Sequence, residues 1–252
     1  MIKVTNLVKK YVPEKAALDN ISFSINSGDI CGYIGVNGAG KSTTVKILTG
    51  ALEFESGEAL VEDINIKKEP LEVKKIIGYV PENANLFNSL TVIEFLEFTG
   101  TIYDLKRDKL NDRINYFSDI LNFSELLKQS VGNISKGNRQ KVLITSALLH
   151  NPKILFLDEP LNGLDANAIF NFQYIISELS KKGKTIFYCS HLLDTIEKIS
   201  TKIIIIEDGK IKMDSSTAEL KNSKDFTSLD NLFRNMNQNN ESKIFRYEDI
   251  FD

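Results

Sequence analysis

Runs of hydrophobic residues alternate with amphipathic segments along the chain, a pattern that predicts an α/β protein. Apolar and polar residues alternate, as they do in half-buried strands, at 2–4, 21–25 and 58–62. These three segments predict an antiparallel β flap. Longer apolar runs predict the strands of a mostly parallel core sheet at 29–34, 76–80, 154–157, 185–189 and 202–206.

Helical patterns fill residues 84–150 and predict a helical lobe inserted in the core. Thr91 and Glu94 have the spacing of a capping box, which predicts a helix that ends near residue 103. Its expected apolar contacts are Phe95, Leu96 and Phe98. Further helices are predicted at 108–121, 141–150 and 166–182.

Residues 1–220 are expected to form one domain, and residues 221–252 a short C-terminal helix with a flexible tail. The pattern at 228–233 predicts that helix. The asparagine-rich stretch 235–240 is typical of a flexible linker. The segment 244–248 either docks on another surface or trails free.

The composition is that of an ordinary soluble globular protein, with 42% hydrophobic and 26% charged residues among 252. The net charge of −3 gives no reason to expect a nucleic-acid partner. Cys31 and Cys189 lie in apolar, strand-like runs and are expected to be buried thiols of a reducing compartment. The first residues do not have the pattern of a signal peptide, and no apolar run approaches the roughly 20 residues that span a bilayer. A role at a membrane would therefore need a second chain.

One stretch has a phosphate-binding pattern, G-x-x-x-x-G-K-S/T, between a predicted strand and a predicted helix. In that context glycines let several backbone N–H groups point at phosphates, and the helix start adds positive charge. Lys41 is expected to reach the β- and γ-phosphates, and Ser42 to bind Mg²⁺. The predicted ATP-binding residues of this stretch are Gly35, Val36, Asn37, Gly38, Ala39, Gly40, Lys41, Ser42, Thr43 and Thr44.

Two acidic residues, Asp158 and Glu159, directly follow the apolar run 154–157. A buried parallel strand that ends in carboxylates beside a phosphate loop predicts a metal position and a general base. Asp158 is expected to hold Mg²⁺, and Glu159 to polarise the attacking water. His191 follows another predicted core strand, where its side chain can face the γ-phosphate. His150 ends a predicted helix and is expected to be structural.

The order of phosphate loop, helical insertion, serine–glycine segment, Asp-Glu strand and histidine loop resembles the nucleotide-binding domain of ABC transporters over about residues 1–220. Tyr11, in a polar segment between the first two predicted strands, is from its sequence alone either a surface aromatic or an adenine-stacking ring. The resemblance implies stacking, and it implies that Asp165 belongs to the D-loop. Ser135, a predicted helix cap, and Gly137 would contact the γ-phosphate held by a second copy, so that a dimer encloses two ATP molecules.

Two positions depart from the usual pattern of that family. The signature, usually L-S-G-G-Q, is here Ile134-Ser135-Lys136-Gly137-Asn138. Glu82 stands where glutamine is usual, and a glutamate can still take a water-mediated place at Mg²⁺. Both variants resemble the exporter subset that handles antibiotics, bacteriocins, lipids or ions; otherwise they are neutral changes within the family.

The resemblance implies an ATP-binding and ATP-hydrolysing subunit of an exporter, which drives a separate integral membrane protein by ATP-driven dimer closure. It would lie in the cytoplasm, peripheral on the inner face of the cell membrane. A soluble ABC ATPase with an assembly or remodelling role is the alternative. Docking on the membrane subunit is expected through residues 83–88, unless Leu86 and Phe87 simply pack within the lobe.

Overall fold

The computed structural model describes residues 1–83, 86–223 and 226–237, in which the strands form two sheets. The strands are β1 (Ile2–Val12), β2 (Lys15–Ile25), β3 (Ile30–Ile34), β4 (Ser56–Val61), β5 (Ile64–Asn65), β6 (Ile77–Val80), β7 (Ile154–Asp158), β8 (Thr185–Cys189), β9 (Lys202–Glu207) and β10 (Lys210–Ser216). The helices are α1 (Lys41–Leu48), α2 (Pro70–Ile76), α3 (Val92–Ile102), α4 (Arg107–Ile120), α5 (Lys136–Leu148), α6 (Ala166–Lys181), α7 (Leu193–Ile199), α8 (Thr217–Asn222) and α9 (Leu229–Asn237). The predicted α/β class is confirmed.

The core sheet has six strands in the order β10-β9-β3-β8-β7-β6, and its neighbours run parallel except for β9 and β10. The second sheet is the antiparallel flap, in the order β2-β1-β4-β5. The carboxyl ends of parallel strands share one edge of a sheet. The segments that follow β3, β7 and β8 therefore meet at that edge.

Hydrophobic clusters cover both faces of the core sheet, because alternate residues of a strand point to opposite faces. Leu155 and Leu157 of β7 pack with the helices of the lobe, whereas Phe156 packs with the flap and α1. The two thiols, Cys31 and Cys189, are both buried in the flap-side cluster, as predicted. α5 contacts α3, α4 and β6, so it joins the lobe to the sheet.

The capping box predicted at the start of α3 is confirmed. The N–H of Glu94 donates to Thr91 Oγ1 at 3.3 Å, and the N–H of Thr91 donates to Glu94 Oε2 at 2.8 Å. Phe95 and Leu96 are buried. Phe98 makes an apolar contact with Phe87, but 47% of it is exposed, so it belongs to an apolar surface on the lobe.

Two predicted boundaries near the candidate site are wrong. β1 extends to Val12, so Tyr11 lies within a strand. β1 pairs with a strand on each side through several register shifts, and these shifts interrupt the alternation by which a strand is recognised. α5 begins at Lys136 rather than at 141, because Ser135 caps it by accepting from the N–H of Asn138 at 3.2 Å.

The C-terminal boundary also differs from the prediction. α9 runs to Asn237, so residues 235–237 are helical rather than linker. The N–H of Leu229 donates to Glu197 Oε2 at 2.7 Å, which fastens α9 to α7. The rest of the predicted linker, and segment 244–248, lie outside the described residues. Within the described ranges, every helix is too short or too polar to cross a membrane.

Candidate active site

The loop between β3 and α1 depends on glycine at two close contacts. A Cβ at Gly35 would lie 2.4 Å from the carbonyl oxygen of Ile206, and a Cβ at Gly40 would lie 2.8 Å from that of Ala17. Gly40 also has φ +113°, a backbone conformation that L side chains rarely adopt. These glycines therefore let the loop pack tightly on β2 and β9.

A cavity of about 1260 Å³ opens above this loop. The predicted site residues that line it are Tyr11, Asn37, Gly38, Gly40, Lys41, Ser42, Thr43, Glu82, Asp158, Glu159 and His191. The structure thus brings together residues from the phosphate loop, the segments after β6, β7 and β8, and the flap. Gly35 and Ala39 are buried residues of the loop that do not line the cavity, and Val36 is exposed outside the lining.

Lys41 is folded back over the phosphate loop. Its Nζ donates to the carbonyl oxygens of Gly35 at 2.7 Å and Val36 at 3.2 Å. The ammonium group therefore lies at the cavity wall with carbonyl partners, which phosphate oxygens can replace as stronger, charged acceptors.

Thr44 makes its hydrogen bonds within the protein. Its side chain is buried, its hydroxyl donates to the carbonyl oxygen of Gly40 at 3.0 Å, and it lies 3.1 Å from the hydroxyl of Tyr33. Its N–H also donates to Gly40, at 2.9 Å. Both donors of Thr44 are thus used inside the protein, where they hold the start of α1. A contact between Thr44 and nucleotide stays a prediction.

Tyr11 lies at the rim of the cavity with a largely exposed ring. Its hydroxyl is 3.3 Å from Thr43 Oγ1, and Lys9 Nζ lies 5.6 Å from the ring centroid. An open aromatic face beside the phosphate loop is suited to stacking on a planar base.

Asp158 lines the cavity with a nearly buried carboxyl that has two other acidic side chains close enough to affect it. Only 4% of it is exposed, and burial raises the pKa of its carboxyl, an effect to which the charges of Glu82 and Glu159 add. A hydrogen bond with Ser42 opposes this shift. A carboxylate and a hydroxyl are the hard oxygen ligands that Mg²⁺ prefers, so these residues fit the ion.

The described residues contain no cluster of three or more His, Cys, Asp or Glu side chains arranged to hold a metal. That finding is compatible with Mg²⁺, which usually takes one or two carboxylates and completes its shell with water and substrate phosphates. The predicted metal residues Ser42, Glu82 and Asp158 would likewise supply only part of the coordination shell of Mg²⁺.

Glu159 has an unusual backbone and a well-defined side chain. Its φ is +50°, a conformation rare for glutamate, and its N–H donates to the carbonyl oxygen of Cys189 at 2.9 Å. Its Oε2 accepts from Ser190 Oγ at 2.9 Å and lies 2.9 Å from His191 Nδ1. The His191 side chain is 65% exposed and also lines the cavity.

Ser135 and Gly137 do not line the cavity. They form the start of α5, where a Cβ at Gly137 would lie 2.2 Å from the carbonyl oxygen of Gly163. Lys141 Nζ is 2.9 Å from Asp165 Oδ2, and this pair with the N–H of Ala168 lowers the pKa of the Asp165 carboxyl. The start of α5 is thus tied to the segment that follows Glu159.

Several lining residues were not predicted from the sequence. The hairpin between β9 and β10 contributes Glu207, Asp208, Gly209, Lys210 and Lys212, and Asn162 and Asp19 also reach the cavity. The N–H of Asp19 donates to the carbonyl oxygen of Gly209 at 2.8 Å, which holds the hairpin against β2. The Asp-Gly pair indicates a turn in the sequence, but its place beside the cavity follows only from this tertiary contact.

A family model described as ABC transporter matches residues 18–162. An uncharacterized ABC transporter ATP-binding protein of Methanocaldococcus jannaschii is 38% identical over 209 residues, which cover 83% of this chain and 75% of that protein. The bacitracin transport ATP-binding protein of Bacillus licheniformis is 35% identical over 212 residues, which cover 84% of this chain and 68% of that protein. A solved structure of an ATP-binding subunit of an ABC transporter superposes with a TM-score of 0.89 at 28% identity, covering 94% of this chain and 99% of that one.

Proposed function

The chain belongs to the ABC transporter family of ATP-binding subunits and is an ATPase, and on that premise we propose that Glu159 activates the water that attacks the γ-phosphate of ATP. The observation that carries this proposal is the placement of Glu159, whose Oε2 is held by Ser190 and His191 at the edge of the phosphate-loop cavity. The energy of hydrolysis drives a separate integral membrane protein, and the direction of transport is export.

In this proposal, different residues of the cavity bind the phosphates, the adenine and the Mg²⁺ ion. Lys41 exchanges its carbonyl partners for the β- and γ-phosphates, and Tyr11 stacks on adenine. Ser42 and Asp158 would hold Mg²⁺, with Glu82 acting through water. When bound, the ion supplies positive charge that neutralises the phosphate oxygens. His191 turns from Glu159 to face the γ-phosphate.

A second copy of the chain completes each site in this proposal. Ser135 and Gly137 lie outside the cavity of their own chain, and Ser135 is exposed at the start of a helix of 13 residues. A hydroxyl and free N–H groups at a helix start suit a phosphate. In a dimer closed by ATP, these residues contact the γ-phosphate bound to the partner.

Export as the direction rests on the signature and on one relative. Lys136 and Asn138 stand in the signature, and Glu82 replaces the usual glutamine. The bacitracin transport protein is among the relatives with more than 30% identity. Capture of the chain from native membranes, followed by identification of the integral membrane protein that copurifies, tests the proposal. Recovery with soluble proteins alone would favour the assembly or remodelling alternative.

Glu82→Gln is expected to change the Mg²⁺ concentration for half-maximal hydrolysis by about twofold to fivefold, toward higher Mg²⁺. The magnitude is modest because Glu82 is exposed, where charge interactions are weak. Mg²⁺ titration of the ATPase rate measures it. Glu14→Gln is the matched control, because Glu14 lines the same cavity on the flap side. Superimposable curves for wild type and Glu82→Gln would place Glu82 outside the reach of the metal.

The surface proposed for the membrane subunit is an apolar group of Phe87, Phe98 and Ile102, all exposed on the lobe. The rings of Phe87 and Phe98 lie 5.8 Å apart, edge to face, and Phe87 remains 55% exposed. Glu82 in the cavity begins the segment that leads to Phe87, so nucleotide binding can act on this surface. Of the predicted docking segment 83–88, residues 84 and 85 lie outside the described residues.

A single cysteine at Asn88 is expected to cross-link to an integral membrane protein in native membranes. The native thiols, Cys31 and Cys189, are buried and do not compete for the reagent. Cysteine at Lys68, which is exposed between β5 and α2, is the matched control and is expected to give no such product. Asn85, the other position suited to this test, lies outside the described residues. Equal labelling of membrane protein from both positions would contradict the docking surface.

A further inference from the structure

One buried hydroxyl on β8, the strand that precedes Ser190 and His191, has no hydrogen-bond partner in the part of the chain that the structure describes. Tyr188 of β8 is 0% exposed, and its hydroxyl contacts no donor or acceptor in the described ranges 1–83, 86–223 and 226–237. Tyr33 of β3 is equally buried, but its hydroxyl lies 3.1 Å from Thr44 Oγ1. Because a buried polar group without a partner destabilises the fold, the Tyr188 hydroxyl calls for a functional explanation.

The sheet register places Tyr188 beside the end of β7, the strand that Glu159 follows. Tyr188 is aligned with Leu157 of β7, two residues before Glu159, and both belong to the cluster on the lobe side of the sheet. Ser190, two residues after Tyr188, donates to Glu159 Oε2 at 2.9 Å. Burial raises the pKa of the Tyr188 hydroxyl, and the charge of Glu159 raises it further.

The partners of Glu159 must change during the proposed reaction. In this structure a single oxygen, Oε2, lies within 2.9 Å of both Ser190 Oγ and His191 Nδ1. When His191 turns to the γ-phosphate, Glu159 loses one of these two partners. A carboxylate held by one donor has more rotational freedom, which would disorder it as a base.

We propose that the hydroxyl of Tyr188 donates to the Glu159 carboxylate when nucleotide is bound, and so replaces His191 as its second partner. Tyr188 is then a positioning residue, which acts on catalysis through Glu159. This inference rests on the proposed role of Glu159. It explains why the hydroxyl is left without a partner in the arrangement where His191 still contacts Glu159.

Tyr188→Phe separates this role from a structural one. The turnover number is expected to fall about tenfold, the value of one hydrogen bond to a charged group, while the KM for ATP changes little. The midpoint of thermal unfolding without nucleotide is expected to stay the same or rise, since no existing bond is lost. Tyr33→Phe is the matched control, and its midpoint is expected to fall because the contact with Thr44 is lost.

A spectroscopic measurement reports the new bond directly. A non-hydrolysable ATP analogue is added, and the near-ultraviolet difference spectrum is recorded for wild type and Tyr188→Phe. Donation by the phenol is expected to shift its absorption to longer wavelength, in a component present in wild type and missing from the variant.

Three outcomes would overturn the inference. The first is unchanged turnover in Tyr188→Phe, and the second is a change confined to KM. The third is a fall in the unfolding midpoint as large as that of Tyr33→Phe, which would mean that the hydroxyl is already bonded in the resting protein. The proposed function is tested separately. Retained turnover in Glu159→Gln would contradict the role of Glu159 as the base. Full activity of Tyr188→Phe together with an inactive Glu159→Gln would contradict only the role of Tyr188.

Discussion

Glu159→Gln is expected to reduce ATP hydrolysis by roughly 10²- to 10⁴-fold while ATP binding is retained. Glutamine preserves the shape of the side chain and an acceptor oxygen for Ser190, but its amide cannot take a proton from the attacking water. Because hydrolysis would no longer open the proposed dimer, the variant is also expected to accumulate as an ATP-bound dimer. Steady-state phosphate release and size-exclusion chromatography with ATP measure the two effects.

The control for this variant is Glu207→Gln. Glu207 lines the same cavity, but it lies on the β9–β10 hairpin and pairs with Lys212 at 3.4 Å. The same change of charge is therefore made without touching the end of β7. A Glu159→Gln protein that turns over at the rate of wild type would remove Glu159 as the base.

Lys41→Ala is expected to weaken ATP binding by about thirtyfold, equivalent to about 2 kcal/mol for a lost charged hydrogen bond. The carbonyl oxygens of Gly35 and Val36 lose a partner in the free protein, but the partly exposed loop lets water replace it. The affinity for a fluorescent ATP analogue, measured by direct titration, reports the loss.

Lys46→Ala is the matched control, because Lys46 is exposed on the last turn of the same helix and does not line the cavity. Its effect on nucleotide affinity is expected to be within the error of the titration. Equal affinities for wild type and Lys41→Ala would show that the phosphates lie elsewhere.

The features that the sequence predicted well are those set by neighbouring residues. The phosphate loop is a local pattern, the capping box at Thr91 needs only Glu94, and the run before Asp158 is long and wholly apolar. In each case the interaction that forms the structure lies within a few residues of the signal.

The features that were missed depend on contacts between distant segments. Tyr11 lies in a strand whose partners come from two other parts of the flap, and Thr44 is turned inward by Tyr33. Ser190 becomes a partner of Glu159 only because β7 and β8 are neighbours in the sheet. Periodicity alone does not contain these pairings.

The ties at the start of α5 have a consequence for how two sites would communicate. Three contacts join the start of α5 to the segment 160–165. Gln140 Nε2 donates to the carbonyl oxygen of Pro160 at 2.9 Å, and Lys141 pairs with Asp165. Gly137 also lies close to Gly163. In the proposed dimer, α5 touches the partner's ATP while the segment at its base leads to the chain's own Glu159. Each chain would then contact both nucleotides and connect the two sites mechanically. By thermodynamic reciprocity, the first ATP raises the affinity for the second by the same factor as the second does for the first, so the pair behaves as one switch.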